Sequence, residues 1–182
     1  MAARAVPAPL AQIPNALTIF RLALIPVFAA LVLTADGGHS WPAAVVFGVA
    51  GVTDQIDGWL ARRWRVESSF GKVADPLADR LMIDAAVILL WHAGRLPWIA
   101  LAIPARDVAL VAGYKLVVDR GYDFSVNLAG KAATWLLYAS LAFTMVTDKG
   151  TLWPRVIFWV GFGLALAALA AYVWKARREV RT

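Results

Sequence analysis

The sequence predicts an all-α integral membrane protein with six transmembrane helices. Three observations carry that expectation. Of 182 residues, 61% are apolar and only 16% are charged, against about 45–50% and about 25% in ordinary soluble domains. The apolar residues gather into six runs, roughly 16–34, 41–62, 78–94, 97–118, 126–147 and 152–174, each near the length of a spanning helix. Several of these runs carry charges that a purely anchoring span avoids.

The same composition excludes much else. A mean hydropathy of +0.66 is incompatible with a disordered chain, which needs low hydrophobicity and high net charge. There is no cysteine, so disulfide frameworks, thiol nucleophiles and thiolate metal sites fall together. Two histidines, His39 and His92, are too few for a histidine-built zinc or iron site. The net charge of +6 comes from residues dispersed at the ends of apolar runs, without the tract or stripe of a nucleic-acid binder. Six spans of about 20 residues take up about 120 residues, which leaves no second domain. Residues 1–182 are expected to form one membrane domain: a short N-terminal segment 1–15, the helices, and a basic tail 175–182.

Taken in order, the first run is too long for the apolar core of a removable signal peptide and lacks its cleavage pattern. Asp36-Gly37-Gly38, Leu96-Pro97, Lys149-Gly150 and Trp153-Pro154 punctuate the connections. Sorting the Lys and Arg residues by alternate connection puts thirteen on one side, among them Arg4, Arg62, Lys72, Lys131 and Lys175. Three, Arg95, Lys149 and Arg155, fall on the other, and Arg21 and Arg106 lie inside runs. The positive-inside rule then places both termini in the cytoplasm, in a cytoplasmic membrane. Trp41, Trp98 and Trp153 start their runs on the opposite side, as interfacial aromatics do. The last run is rich in Ala, which suits close helix packing.

The informative stretch is Thr53-Asp54-Gln55-Ile56-Asp57-Gly58-Trp59-Leu60-Ala61-Arg62, followed by Gly71-Lys72-Val73-Ala74-Asp75-Pro76-Leu77-Ala78-Asp79. It sets four carboxylates at the cytoplasmic ends of two consecutive spans, where ionisable groups are costly and functional by default. On a helix, Asp54, Asp57, Gly58, Ala61 and Arg62 share one face, and Asp75 and Asp79 share another at i and i+4. Two such helices facing each other can gather all four carboxylates. Four negative charges do not stay ionised together in a low-dielectric site without cations. Oxygen-only ligation selects hard divalent ions, Mg²⁺ or Mn²⁺. Gly58 and Ala61 leave space for a ligand against the helix backbone, and Arg62 can fork onto a phosphate. Ion pairing with Arg62, Arg63, Arg65 and Arg80 at the membrane surface would explain two of the carboxylates. It does not explain four with Gly and Ala interposed.

The pattern D-x-x-D-G-x-x-A-R, eight residues, then G-x-x-x-D-x-x-x-D is filled without a gap by Asp54, Asp57, Gly58, Ala61, Arg62, Gly71, Asp75 and Asp79. It resembles the signature of the CDP-alcohol phosphotransferases, and Ile13-Pro14-Asn15-Ala16-Leu17-Thr18-Ile19-Phe20-Arg21 resembles the opening segment of the branch that makes phosphatidylglycerol phosphate and cardiolipin. The resemblance implies six helices, usually in a homodimer, around a polar cavity open to the cytoplasm. It implies transfer of a phosphatidyl group from CDP-diacylglycerol to an alcohol with release of CMP. Asp54, Asp57, Asp75 and Asp79 would then hold two metal ions and Asp79 would act as general base. Asp57, Gly58, Ala61, Arg62, Gly71 and Thr18 would line the nucleotide pocket. The chemistry of the residues agrees: without a usable histidine, a carboxylate must take the acceptor's proton.

The acceptor is read from the fourth and fifth runs. Ala105-Arg106-Asp107-Val108 resembles the R-D-V segment of eukaryotic-type cardiolipin synthases. Phosphatidylglycerol-phosphate synthases have Arg-Glu there and a second Arg where this chain has Tyr114. Gly130-Lys131-Ala132-Ala133-Thr134 keeps only one Lys of the form G-K-x-K-T. Fewer cations suit the single charge of phosphatidylglycerol over the near-double charge of glycerol 3-phosphate, which stays the alternative. Arg106, Lys115 and Lys131 are the acceptor-site candidates, though Arg106 could simply pair with Asp107 or Asp84. Asp84 sits half a turn round the helix from Asp75 and is expected to be a structural ion-pair member. Arg21, charged and one turn into its apolar run, has no assigned role. His39 and His92 are expected at loops or the interface. A cation-coupled transporter is the non-enzyme alternative, but it would be expected to show repeats or broken helices, and neither is present.

Overall fold

The computed structural model describes residues 13–64, 71–109 and 128–179, and these contain helices and turns with no strand among them. The helices are α1 (Ile13–Leu33), α2 (Trp41–Trp64), α3 (Gly71–His92), α4 (102–109), α5 (Leu128–Val146) and α6 (Leu152–Glu179). Single 3₁₀ turns at Asp36–Gly38 and Trp98–Leu101 precede α2 and α4. Among the described residues, two segments are long and apolar enough to cross a membrane by themselves, Ala16–Leu33 in α1 and Leu152–Ala170 in α6. In α2 the apolar stretch Trp41–Thr53 gives way to Asp54, so its second half reads as polar although the helix continues.

That difference recurs at the boundaries. The third apolar run begins at 78, yet α3 starts at Gly71. The last run ends at 174, yet α6 continues to Glu179. Hydropathy stops at charges, whereas the backbone continues through Lys, Ala, Arg and Glu, which are good helix formers. Trp153-Pro154 lies inside the first turn of α6 and not between helices; that turn tolerates proline because its N–H groups have no intrahelical acceptor. The fourth run opens with the 3₁₀ turn and becomes helical only at 102.

The core runs through the middle of the bundle. Helix α1 packs on both α2 and α3, α5 packs on α2, and the α5–α6 pair is the most extensive contact. Phe28 of α1 lies 5.5 Å (ring centroids) from Phe47 of α2, which lies 4.8 Å from Tyr138 of α5. Met82, Leu90, Leu141, Met145 and Phe158 are fully or nearly fully buried around this row of rings. The outer surface is apolar as well: Ile19, Val27, Val45, Val49, Val156, Trp159 and Val160 are exposed. A bundle apolar inside and out fits a lipid surround, where lipid-facing side chains need no polar cover.

The hydroxyl groups obey the same constraint. Thr34, Thr53, Thr134, Ser140, Thr144 and Thr147 each donate to a carbonyl three or four residues back in their own helix. In a solvent without hydrogen-bond partners, a side chain must find one locally. At one end of the bundle the connections close over the C-terminus of α5. Ser40 N–H donates to Met145 O at 2.9 Å, Arg95 Nη2 donates to Thr147 O, and His39 Nδ1 lies 3.3 Å from the same oxygen. Gly37, Gly38, Gly94 and Gly150 take positive φ in these connections. Trp41, Trp98 and Trp153 are exposed at this end, and His39 and His92 are also there, as expected.

Candidate active site

Asp54, Asp57, Gly58, Ala61 and Arg62 lie in α2, and Gly71, Asp75 and Asp79 in α3, so the whole motif is helical. The two helices contact each other, and α1 lies against both. The side chains of these eight residues lie outside the described ones. Among the described residues, no group of three or more acidic or histidine side chains could hold a metal ion.

Two residues of the opening segment lie among the described ones. Thr18 and Arg21, one turn apart on α1, are both fully buried, and neither is without a partner. A guanidinium is rarely buried in full. This one sits on the helix that contacts both motif helices. Sequence alone gave Arg21 no role; its signal was a charge inside an apolar run.

Of the acceptor candidates, Arg106 and Lys131 lie among the described residues. Lys115 lies outside the described residues. Lys131 is exposed near the start of α5 and makes no hydrogen bond or ion pair with Arg106. Arg106 is paired with Asp107, as one of the two readings anticipated. Nη2 of Arg106 lies 2.8 Å and Nε 2.9 Å from Asp107 Oδ1, and Nη1 of Arg80 donates to the same oxygen at 2.9 Å. Asp107 is only 3% exposed. Asp84, four residues beyond Arg80 on α3, faces the same group and interacts with Asp107, Arg106 and Arg80. Its Oδ1 is buried with no hydrogen-bond partner among the described residues. Asp84 is expected from the sequence to be an ion-pair member; among the described residues it lies beside the ion-paired group, and the ion pairs themselves run between Arg80, Arg106 and Asp107.

Ala133, which stands where the G-K-x-K-T form has its second lysine, is buried. Its carbonyl oxygen would be 3.3 Å from a Cβ placed on Gly161 of α6. A lysine at this buried position would have to carry its ammonium into the bundle, which is costly without a partner.

Comparison with known proteins places this arrangement. The family model for CDP-alcohol phosphatidyltransferase matches residues 11–173, which contain the motif and nearly all of the described helices. The chain is 37% identical over 183 residues to a cardiolipin synthase (CMP-forming) of Streptomyces coelicolor, covering 93% of this chain and 84% of that protein. It is 35% identical over 177 residues to the CDP-diacylglycerol–glycerol-3-phosphate 3-phosphatidyltransferase of Bacillus subtilis, covering 84% of this chain and 91% of that one. The Escherichia coli K12 protein of the same description is 34% identical over 164 residues, with 88% and 87% covered. An enzyme of phosphatidyl transfer replaces the transporter alternative, and the chain belongs to the CDP-alcohol phosphatidyltransferase family.

Proposed function

We propose that the protein transfers the phosphatidyl group of CDP-diacylglycerol to phosphatidylglycerol, releasing CMP and forming cardiolipin. The observation that supports the site is the placement of the unbroken motif on α2 and α3, two helices in contact with each other and both packed by α1. In this reading six helices span the cytoplasmic membrane as a single domain, both termini face the cytoplasm, and the polar cavity opens there. A homodimer is the expected assembly.

Asp54, Asp57, Asp75 and Asp79 would hold two Mg²⁺ or Mn²⁺ ions. Their all-oxygen donor set suits hard divalent cations, and the i, i+3 and i, i+4 spacings put each pair on one helix face. Such ions, when bound, neutralise the diphosphate and make CMP a good leaving group. The chain's own residues do the rest. Gly58, Ala61, Gly71 and Thr18 shape the nucleotide pocket, Arg62 holds a phosphate, and Asp79 takes the proton of the acceptor hydroxyl. Arg106, Lys115 and Lys131 bind the acceptor's phosphate.

A second acceptor is favoured by specific relatives. The Bacillus subtilis and Escherichia coli proteins are named for glycerol 3-phosphate, and their identities to this chain are within a few per cent of that of the cardiolipin synthase. Tyr114 and Ala133, each standing where a cation serves that acceptor, support phosphatidylglycerol. Purified protein offered CDP-diacylglycerol with both acceptors and Mg²⁺ or Mn²⁺ should release CMP and yield cardiolipin as the main product, and EDTA should stop the release. Phosphatidylglycerol phosphate as the only product would replace the acceptor assignment. Full activity in excess EDTA would remove the metals from the reading.

A further inference from the structure

The partly buried ionic group between α3 and α4, centred on the buried Asp107, has a geometry that ordinary charge balance does not require. Adjacent residues of a helix do not face each other, yet Arg106 turns back onto its own neighbour Asp107. It does so through Nε and Nη2, both within 2.9 Å of one oxygen. That same oxygen accepts Nη1 of Arg80 from α3. One carboxylate oxygen thus fixes the plane of the Arg106 guanidinium and ties it to the residue next to Asp79 on the chain. Two guanidiniums and two carboxyl groups, counting Asp84, make up the group, so it can be buried without a large net charge. A guanidinium carries five N–H donors. Asp107 engages the Nε edge of Arg106, and no partner among the described residues takes the two Nη1 hydrogens or the second Nη2 hydrogen, the edge that would meet a ligand. Asp107 itself is closed to any ligand by its burial.

We infer that Asp107 is a positioning residue: through Oδ1 it orients Arg106 toward the acceptor's phosphate and, through Arg80, holds that guanidinium in fixed relation to the helix of Asp75 and Asp79. The inference rests on Arg106 being an acceptor-phosphate ligand, as proposed above. A flexible arginine would reach the phosphate in many geometries, whereas one clamped at its Nε edge presents the opposite edge in one. Clamping lowers the entropy lost when the acceptor binds, so its removal should appear in acceptor affinity more than in chemistry or in CDP-diacylglycerol binding.

The test is steady-state kinetics of the full-length protein in detergent with Mg²⁺, varying CDP-diacylglycerol and phosphatidylglycerol separately, with thermal unfolding of each variant alongside. Asp107→Asn keeps the shape and removes the charge. Charge-assisted hydrogen bonds at this strength correspond to a rise of about 10- to 100-fold in the acceptor KM, with kcat and the KM for CDP-diacylglycerol within about threefold of wild type. Asp107→Glu, which restores the carboxylate, should recover most of that loss. Arg80→Gln should raise the same KM by a smaller factor, and it carries the test if Asp107→Asn does not fold. A folded Asp107→Asn with unchanged acceptor KM, or with kcat lowered and both KM values unchanged, would overturn the positioning role. Arg106→Ala separates the two ideas. If it raises the acceptor KM while Asp107→Asn and Arg80→Gln do not, only the positioning inference fails. If Arg106→Ala leaves the acceptor KM unchanged, the acceptor-site reading fails and takes the inference with it.

Discussion

Polar groups at the loop end of the bundle and polar groups between α3 and α4 are satisfied in opposite ways. At the loop end, the Arg95 side chain and the backbone N–H groups of the connections serve helix-terminal carbonyls. Arg95 donates to Thr147 O, the Ser40 N–H donates to Met145 O, and Arg95 and Leu96 N–H both donate to Leu90 O. The last carbonyls of a helix lack intrahelical partners, and a cation beside them is favourable. Burial pushes the Arg95 guanidinium below its ordinary pKa, Asp148 opposes that shift, and Arg155 adds to it. Between α3 and α4, by contrast, Arg80, Arg106 and Asp107 serve one another and no helix end. Buried ion pairs contribute little net stability compared with apolar side chains of equal volume. The first region therefore reads as closure of the fold, and the second as a device kept for what it positions.

That contrast is broken or sharpened by mutation, and the largest effect belongs to the motif. Asp79→Asn should retain the fold and CDP-diacylglycerol binding while turnover falls by at least the factor of about 10²–10⁴ assigned to a general base. The amide keeps the shape but cannot take the proton. Single-turnover CMP release compared with thermal unfolding would check it. Turnover near the wild-type rate would move the base elsewhere.

Arg95→Ala should do the reverse. It removes a nearly buried, charge-assisted donor, and stability should fall by about 1.5–3 kcal/mol, read as a lower Tm in detergent. The rate per folded molecule should stay at wild type, because Arg95 lies beyond the C-terminal end of α3, whereas the motif residues of that helix occupy its first turns. A loss of kcat with unchanged Tm would erase the distinction between the two regions.

How much of this was legible depends on which property each residue encodes. The apolar runs gave the helices, but among the described residues only Ala16–Leu33 of α1 and Leu152–Ala170 of α6 pass as spans by hydropathy alone; in α2 and α3, Asp54, Asp75, Asp79 and Arg80 interrupt the apolar run. The motif was legible in full because its spacing is fixed by helix geometry within 26 positions. The Arg80–Asp107 pair was not, since it joins residues 27 positions apart on different helices and no local pattern foretells it. Arg106 showed both of its readings in the sequence, and its distance to Asp107 establishes the pairing while leaving its other edge for the acceptor. The tight α5–α6 seam was half legible: the run of Ala was visible, but which small residues face α5 was not.

That seam supplies the smallest predicted effect and a matched control within one helix. Gly161, Ala165 and Ala168 are buried on α6, at the i, i+4, i+7 spacing of a single face, and α6 packs on α5. A Cβ on Gly161 would lie 3.0 Å from Leu136 Cβ, 3.2 Å from Leu137 N and 3.3 Å from Ala133 O, and two of those atoms are backbone that cannot swing away. A Cβ on Gly163 would meet nothing within 4 Å. Small residues let membrane helices approach closely, so Gly161→Ala should separate α5 from α6 slightly and cost about 1–3 kcal/mol, the range for overpacking. Gly163→Ala, in open space on the same helix, should instead gain up to about 1 kcal/mol from the better helix propensity of Ala. Thermal unfolding of the two variants side by side checks the sign of each. Equal Tm values for Gly161→Ala and Gly163→Ala would mean that α5 and α6 yield at the seam, and that their close approach is not what Gly161 protects.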